Sequence, residues 1–270
     1  MITDRLFTSY DWRFIFMKTE TIRLTPIQTS PVLQPKADIS PFRHEGRLPD
    51  ASHKKHAGLK DPGSAITHLI GGLLAAAAAP LLLLRAYASG SGAHLFAMAV
   101  FMASMILLYT ASTVYHAIDK GEKINQRLKK LDHTMISVLI AGTYTPVCMI
   151  TLSGRTGTLL LTLIWALAAA GIIFKIFWVN CPKWISSVLY IGMGWLCILA
   201  LPQLLAKLSG AAFAWLLAGG LMYTIGGVIY ALKLQLFNRR HKNFGSHEIF
   251  HLFVMAGSFC HFMFMYLYVA

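Results

Sequence analysis

From residue 65 onward the hydrophobic positions gather into seven near-continuous runs, at 65–87, 95–118, 131–152, 158–179, 185–206, 211–232 and 247–269. A helix rises ~1.5 Å per residue, so each run is long enough to cross a hydrocarbon layer of ~30 Å. None alternates apolar and polar residues, and all are longer than the strands of a membrane barrel, so a sheet is excluded. The pattern predicts an all-α fold, an integral membrane bundle of seven transmembrane helices. Asp61-Pro62-Gly63-Ser64 reads as a helix start, and Ser153-Gly154 and Ser209-Gly210 read as turns. Pro80, Pro146 and Pro202 are expected to kink their helices.

The segment before the first run is different in kind. Residues 1–62 hold five of the ten prolines before residue 60, many Ser and Thr, and no sustained period. They are predicted to be a disordered cytoplasmic extension, leaving residues 63–270 as the membrane domain.

Composition sharpens this picture. Hydrophobic residues make up 56% of the chain and charged residues 13%, and of the eleven Asp and Glu only Asp119, Glu122, Asp132 and Glu248 follow residue 64. The net charge of +13 would suggest nucleic acid in a soluble domain, but here the basic residues lie between apolar runs, so nucleic-acid binding is excluded. Instead they set topology. The breaks after the second, fourth and sixth runs, with their flanks, hold eleven Lys and Arg, whereas the other three hold only Arg85, Arg155 and Lys207. The positive-inside rule then places the N-terminus in the cytoplasm and the C-terminus outside, in a multi-pass protein of the inner membrane. Cys148, Cys181, Cys197 and Cys260 are widely spaced and form no C-x-x-C pair, so neither a disulfide framework nor a thiolate zinc site is expected. Nothing in the sequence fixes an oligomeric state.

The few ionisable residues inside the runs carry the chemistry. Ser112 and His116 lie four apart near the end of the second run, Asp132 opens the third, and His247 and His251 lie four apart at the start of the seventh. On this topology all of them sit at the cytoplasmic level, with Thr67-His68 at the same depth. Ionisable groups within membrane helices are costly and normally face a partner in the bundle interior. His116, His247 and His251 suit a three-histidine Zn²⁺ site with an open fourth position, the catalytic pattern. Asp132, read as sitting at a helix N-terminus, is the candidate to hold a water and take its proton, and Ser112 to donate to a developing oxyanion. The bland alternative for the histidines is interhelical hydrogen bonding. Asp132 alone has the alternative of a helix cap, and Ser112 of bonding its own helix.

Ser112-x-x-x-His116, Asp132 and His247-x-x-x-His251 on a seventh helix together resemble the hemolysin III family. The wider resemblance is to the progestin and adipoQ receptors and, more remotely, to alkaline ceramidases. The stretches Ala111-Ser-Thr-Val-Tyr-His116, Leu131-Asp-His133, Ala141-Gly-Thr-Tyr-Thr-Pro146, Met193-Gly-Trp195 and Gly257-Ser-Phe-Cys-His261 carry the likeness, which spans residues 64–270. It implies a seven-helix bundle with an intracellular N-terminus, zinc held by three histidines and a water beside the Asp. In the broader group it implies hydrolysis of a lipid amide such as ceramide, and in bacterial members a haemolytic or pore-forming activity. Related proteins often carry Glu and Asn ahead of the Thr-His of the first helix, where this chain has Lys60-Asp-Pro-Gly-Ser-Ala. His68 is accordingly left outside the ligand set.

Three functional readings follow: a zinc-dependent hydrolase acting on a lipid amide or ester drawn from the bilayer, a pore-forming protein with structural zinc, and a seven-helix receptor without turnover. His247-Glu248-Ile-Phe-His251 also matches the H-E-x-x-H protease pattern, but Glu248 is read as a helix-start charge and the Asp132 route is preferred. His133 is expected to point away from Asp132. His261, about 21 Å along the helix from His247, is expected to face the interior beyond reach of the ion.

Overall fold

Helix ends in this chain are set by proline, glycine and serine rather than by the edges of the apolar runs. In the computed structural model, which describes residues 59–232 and 245–270, seven helices are long and apolar enough to cross a membrane. They are α1 (Pro62–Ala88), α2 (Gly92–Ala117), α3 (Glu122–Leu152), α4 (Gly154–Phe177), α5 (Lys183–Lys207), α6 (Gly210–Leu232) and α7 (Ser246–Val269). The described residues contain no strand, so the all-α, seven-span expectation holds. Residues 1–58 of the expected extension lie outside the described residues, as do Lys233, Arg239, Arg240 and Lys242 of the α6–α7 connection.

Pro62 occupies the first position of α1, where its missing N–H costs nothing. Ser153 and Gly154 both adopt positive φ (47° and 59°), which reverses the chain between α3 and α4. The largest departure from the sequence reading is at α3. The apolar run begins near residue 131, but the helix begins at Glu122, because the polar stretch from Glu122 to Lys130 continues the helix past the apolar layer. The run marks the hydrocarbon, not the helix. Asp132 therefore lies well inside α3, and the expectation that it sits at a helix N-terminus is corrected.

Two of the prolines disturb their helices without breaking the spans. After Pro146 the last turns of α3 widen to a π-helix over Val147–Leu152, and before Pro202 α5 tightens to a 3-10 helix over Trp195–Ala200. A carbonyl or N–H freed at such a break cannot turn to water inside a bilayer and must find a partner in the protein. Tyr144 supplies it. Its hydroxyl donates to the Gly194 carbonyl at 2.6 Å and accepts the Cys197 N–H at 2.8 Å.

Packing runs in a ring. α1 lies on α2, α2 on α3, α3 and α5 come together, α5 lies on α6, α6 on α7, and α7 closes on α1. α4 packs mainly on α3, outside the ring. Close approach of α2 and α3 depends on Gly142, where a Cβ would overlap the Ser104 side chain. Buried Met98, Phe101, Met102, Leu82 and Ile164 fill the half of the bundle away from the histidines, while Leu73, Leu84 and Phe177 point outward, as lipid contact requires. The ring encloses a cavity whose lining includes His247 and His251.

Candidate metal centre

Three chain segments converge where α2 ends and α1 and α7 begin. The Asp61 N–H donates to the His116 carbonyl at 2.8 Å, joining the entry of α1 to the last turn of α2. The Ser64 hydroxyl donates to Glu248 at 2.5 Å, joining α1 to the first turn of α7. These ties bring His116 beside His247 and His251, which share one face of α7 because they are one turn apart.

The Nε2 atoms of His116 and His247 stand 3.2 Å apart. One ligand nitrogen from each of His116, His247 and His251 lies within 4.8 Å of the other two. Tetrahedral ligands at the usual Zn–N length of 2.0–2.1 Å are about 3.3 Å from each other, so the cluster has the dimensions one ion needs. His116 and His251 are buried, at 3% and 2% exposed.

The rings are held from behind. His116 Nδ1 lies 3.0 Å from Asp61 Oδ2, so its N–H donates to the carboxylate and Nε2 keeps its lone pair for an ion. The Thr67 hydroxyl donates to the Gly63 and Ser64 carbonyls at 3.0 Å, which leaves its oxygen to accept from His251 Nδ1 at 3.2 Å. The tautomers of both rings are thus fixed by α1 and the residue before it. Asp61 was read from the sequence only as part of a helix start. It makes no side-chain cap, and its carboxylate serves His116 instead. The available signal was an acid in an acid-poor chain, six residues before the Thr-His pair.

Of the other candidates, Asp132 and Ser112 line the same cavity as His247 and His251. Ser112 is 1% exposed and its hydroxyl has no hydrogen-bond partner among the described residues. Asp132 is buried, and its Oδ2 stands 3.2 Å from His133 Nδ1. The expectation that His133 points away is thus corrected: successive helical Cβ atoms diverge, but the ring reaches back to the neighbouring carboxylate. Glu248 behaves as a helix-start residue. It accepts from the Gly245 N–H at 2.7 Å through one oxygen and from Ser64 of α1 through the other, so both its oxygens are occupied. His68 stacks on His251 with ring centroids 3.5 Å apart, and neither of its nitrogens has a partner among the described residues. All four cysteines are free.

The cavity measures about 140 Å³, on the order of ten water-sized sites. Its walls are mostly apolar and run from the histidines past Tyr190 to Trp195, Tyr223 and His261. Behind the lining residue Tyr223, its hydroxyl and that of Tyr109 meet Ser258 Oγ at 2.9 and 2.8 Å.

Comparison with known proteins identifies the family. The family model described as Haemolysin-III related matches residues 57–262. The chain is 42% identical to Hemolysin-3 of Bacillus cereus over 206 residues, covering 76% of this chain and 90% of that protein. It is also 42% identical to the Hemolysin-3 homolog of Bacillus subtilis (strain 168) over 195 residues, 72% of this chain and 87% of that one. A shorter likeness, 37% over 60 residues, links it to an adiponectin receptor protein of Drosophila melanogaster, covering 21% of this chain and 14% of that receptor. That last match fits the wider grouping with the progestin and adipoQ receptors. With seven membrane-spanning helices and a match over three quarters of its length, this chain belongs to the haemolysin-III-related family of multi-pass membrane proteins.

Proposed function

We propose that the protein is a zinc-dependent hydrolase of the inner membrane that cleaves a lipid amide or ester at its cytoplasmic face. The observation that carries this reading is the 3.2 Å approach of His116 and His247, with His251 close enough to share one ion and with His247 and His251 lining a largely apolar cavity. The donor set fits zinc: three imidazoles, two with tautomers fixed from behind, in a pocket that also presents a carboxylate. When bound, zinc supplies Lewis acidity, polarising a carbonyl and bringing the pKa of water towards ~7.

The chain's own residues divide the remaining work. Asp132 takes the proton of the attacking water and delivers it to the leaving amine or alcohol. Ser112, whose hydroxyl is otherwise unpaired, donates to the carbonyl oxygen as charge develops. Asp61 and Thr67 hold His116 and His251 in the ligating tautomer. The apolar wall takes an acyl chain that enters from the bilayer. The bias of basic residues towards alternate connections supports the cytoplasmic placement.

The printed names of the Bacillus relatives favour a second reading, a permeabilising protein in which the ion only ties helices together. One set of measurements separates them. Purified protein should carry zinc that the His247→Ala/His251→Ala double variant loses. In proteoliposomes containing ceramide it should release fatty acid, and a chelator or Asp132→Asn should abolish release. Dye leakage that survives Asp132→Asn without any lipid cleavage favours the pore, and equal zinc in the double variant removes the metal site.

A further inference from the structure

His261 lies ten residues beyond His251 on α7, about 15 Å deeper along the helix axis and too far to share an ion with it. It is 6% exposed, it lines the cavity, and neither ring nitrogen has a hydrogen-bond partner among the described residues. The ring is nonetheless closely seated. It stacks on Tyr223 with centroids 5.3 Å apart and an interplanar angle of 17°. Against it lies Gly219, one turn before Tyr223 on α6, where a Cβ would overlap the imidazole. Tyr223 is held in turn, because its hydroxyl meets Ser258 and a Cβ at Gly257 would run into its ring. Two helices therefore fix an imidazole whose polar atoms find nothing in the protein to bond. An uncharged imidazole offers one donor and one acceptor, and burying both unpaired is costly, so the expected complement is a group that can do both. A hydroxyl is such a group.

We propose that His261 is a specificity residue that hydrogen-bonds a hydroxyl carried on the acyl chain of the bound lipid. With the head group at the histidine cluster, the separation of about 15 Å puts that hydroxyl roughly a dozen carbons along an extended chain. Tyr223 positions the ring and Gly219 makes room for it. This rests on the lipid-cavity reading above, and the experiment separates failure of one from failure of the other.

The test uses the full chain in nanodiscs, loaded with zinc, and displacement of a fluorescent fatty acid. The probes are octadecanoic acid and its monohydroxy isomers, hydroxylated near the carboxylate, in the far half of the chain, and at the terminal carbon. The far-half isomer should displace the reporter about fivefold better than the unsubstituted acid, the gain from one net hydrogen bond. His261→Leu should erase that preference, so that the far-half isomer and the unsubstituted acid displace the reporter equally well. Equal affinity for all probes in the wild type, a preference peaking near the carboxylate, or a preference that persists in His261→Leu overturns the proposal. The wild-type comparison decides even if the variant fails to fold. Failure of every probe to displace the reporter would instead sink the lipid-cavity reading itself.

Discussion

His116 Nδ1 donates to Asp61 Oδ2 at 3.0 Å, so the residue that precedes the first membrane helix orients a candidate ligand at the end of the second. A carboxylate behind a ligating imidazole fixes its tautomer and raises its basicity, and removing such a partner typically costs ten- to a hundredfold in metal affinity. Asp61→Asn should therefore lower zinc affinity by about that factor, measured by chelator competition, with the helical content unchanged. His116→Ala should lose more. If Asp61→Asn holds zinc as tightly as the wild type, the carboxylate does not tune the site.

Glu248 provides a sharper separation of roles, because the H-E-x-x-H pattern assigns it to catalysis and the structure assigns it to the start of α7. Its two oxygens are taken by Ser64 and the Gly245 N–H. Loss of that cap should cost about 1 kcal/mol of stability, in the range of helix-capping contacts. Glu248→Ala should therefore unfold earlier in a denaturant titration while retaining its zinc and any lipid cleavage. Full stability with cleavage lost would restore the catalytic reading.

Tyr144 joins two helices at the point where α5 is irregular. Tyr144→Phe keeps the ring but leaves the Gly194 carbonyl and the Cys197 N–H without their partner. Within the bilayer neither group can turn to water, so each one left unpaired costs about 1–3 kcal/mol, and the 3-10 stretch between Trp195 and Ala200 should loosen. Hydrogen exchange should rise over residues 194–200 and not in α1, and the midpoint of thermal unfolding in detergent should fall. An unchanged exchange pattern would show that the break is held by its own geometry.

What the sequence made legible follows from the physics of each signal. Span number and helical class were readable because burying a backbone in lipid leaves few alternatives, and a run of over 20 apolar residues is the direct mark of one of them. The histidine cluster was readable because His116, His247 and His251 are expensive where they lie and share one depth. The α3 start was not readable from hydropathy, since residues from Glu122 to Lys130 form good helix outside the apolar layer and leave no mark in it. Nor were the roles of Asp61 and Thr67, because a residue behind a ligand is placed by how helices cross, and periodicity within one helix says nothing about its neighbour. The Tyr223–His261 stack was hidden for the same reason.

The contact between Gly142 and Ser104 tests how tightly α2 and α3 must approach to present Ser112 and Asp132 to a common cavity. A Cβ at Gly142 overlaps the Ser104 side chain, and Ser104 is itself buried with its hydroxyl donating to the Phe101 carbonyl at 2.7 Å. Gly142→Ala should therefore force the helices apart and destabilise the fold by about 1–3 kcal/mol, the usual cost of overpacking. Ser104→Gly on the same chain frees the space that the new methyl needs. The double variant should recover most of the lost stability, giving a coupling energy well above the few tenths of a kcal/mol expected for independent sites. Zinc content should follow the same course, falling in Gly142→Ala and returning in the double variant, because His116 rides on α2. If the two substitutions are additive in both measurements, α2–α3 spacing is set elsewhere and this contact does not position the site.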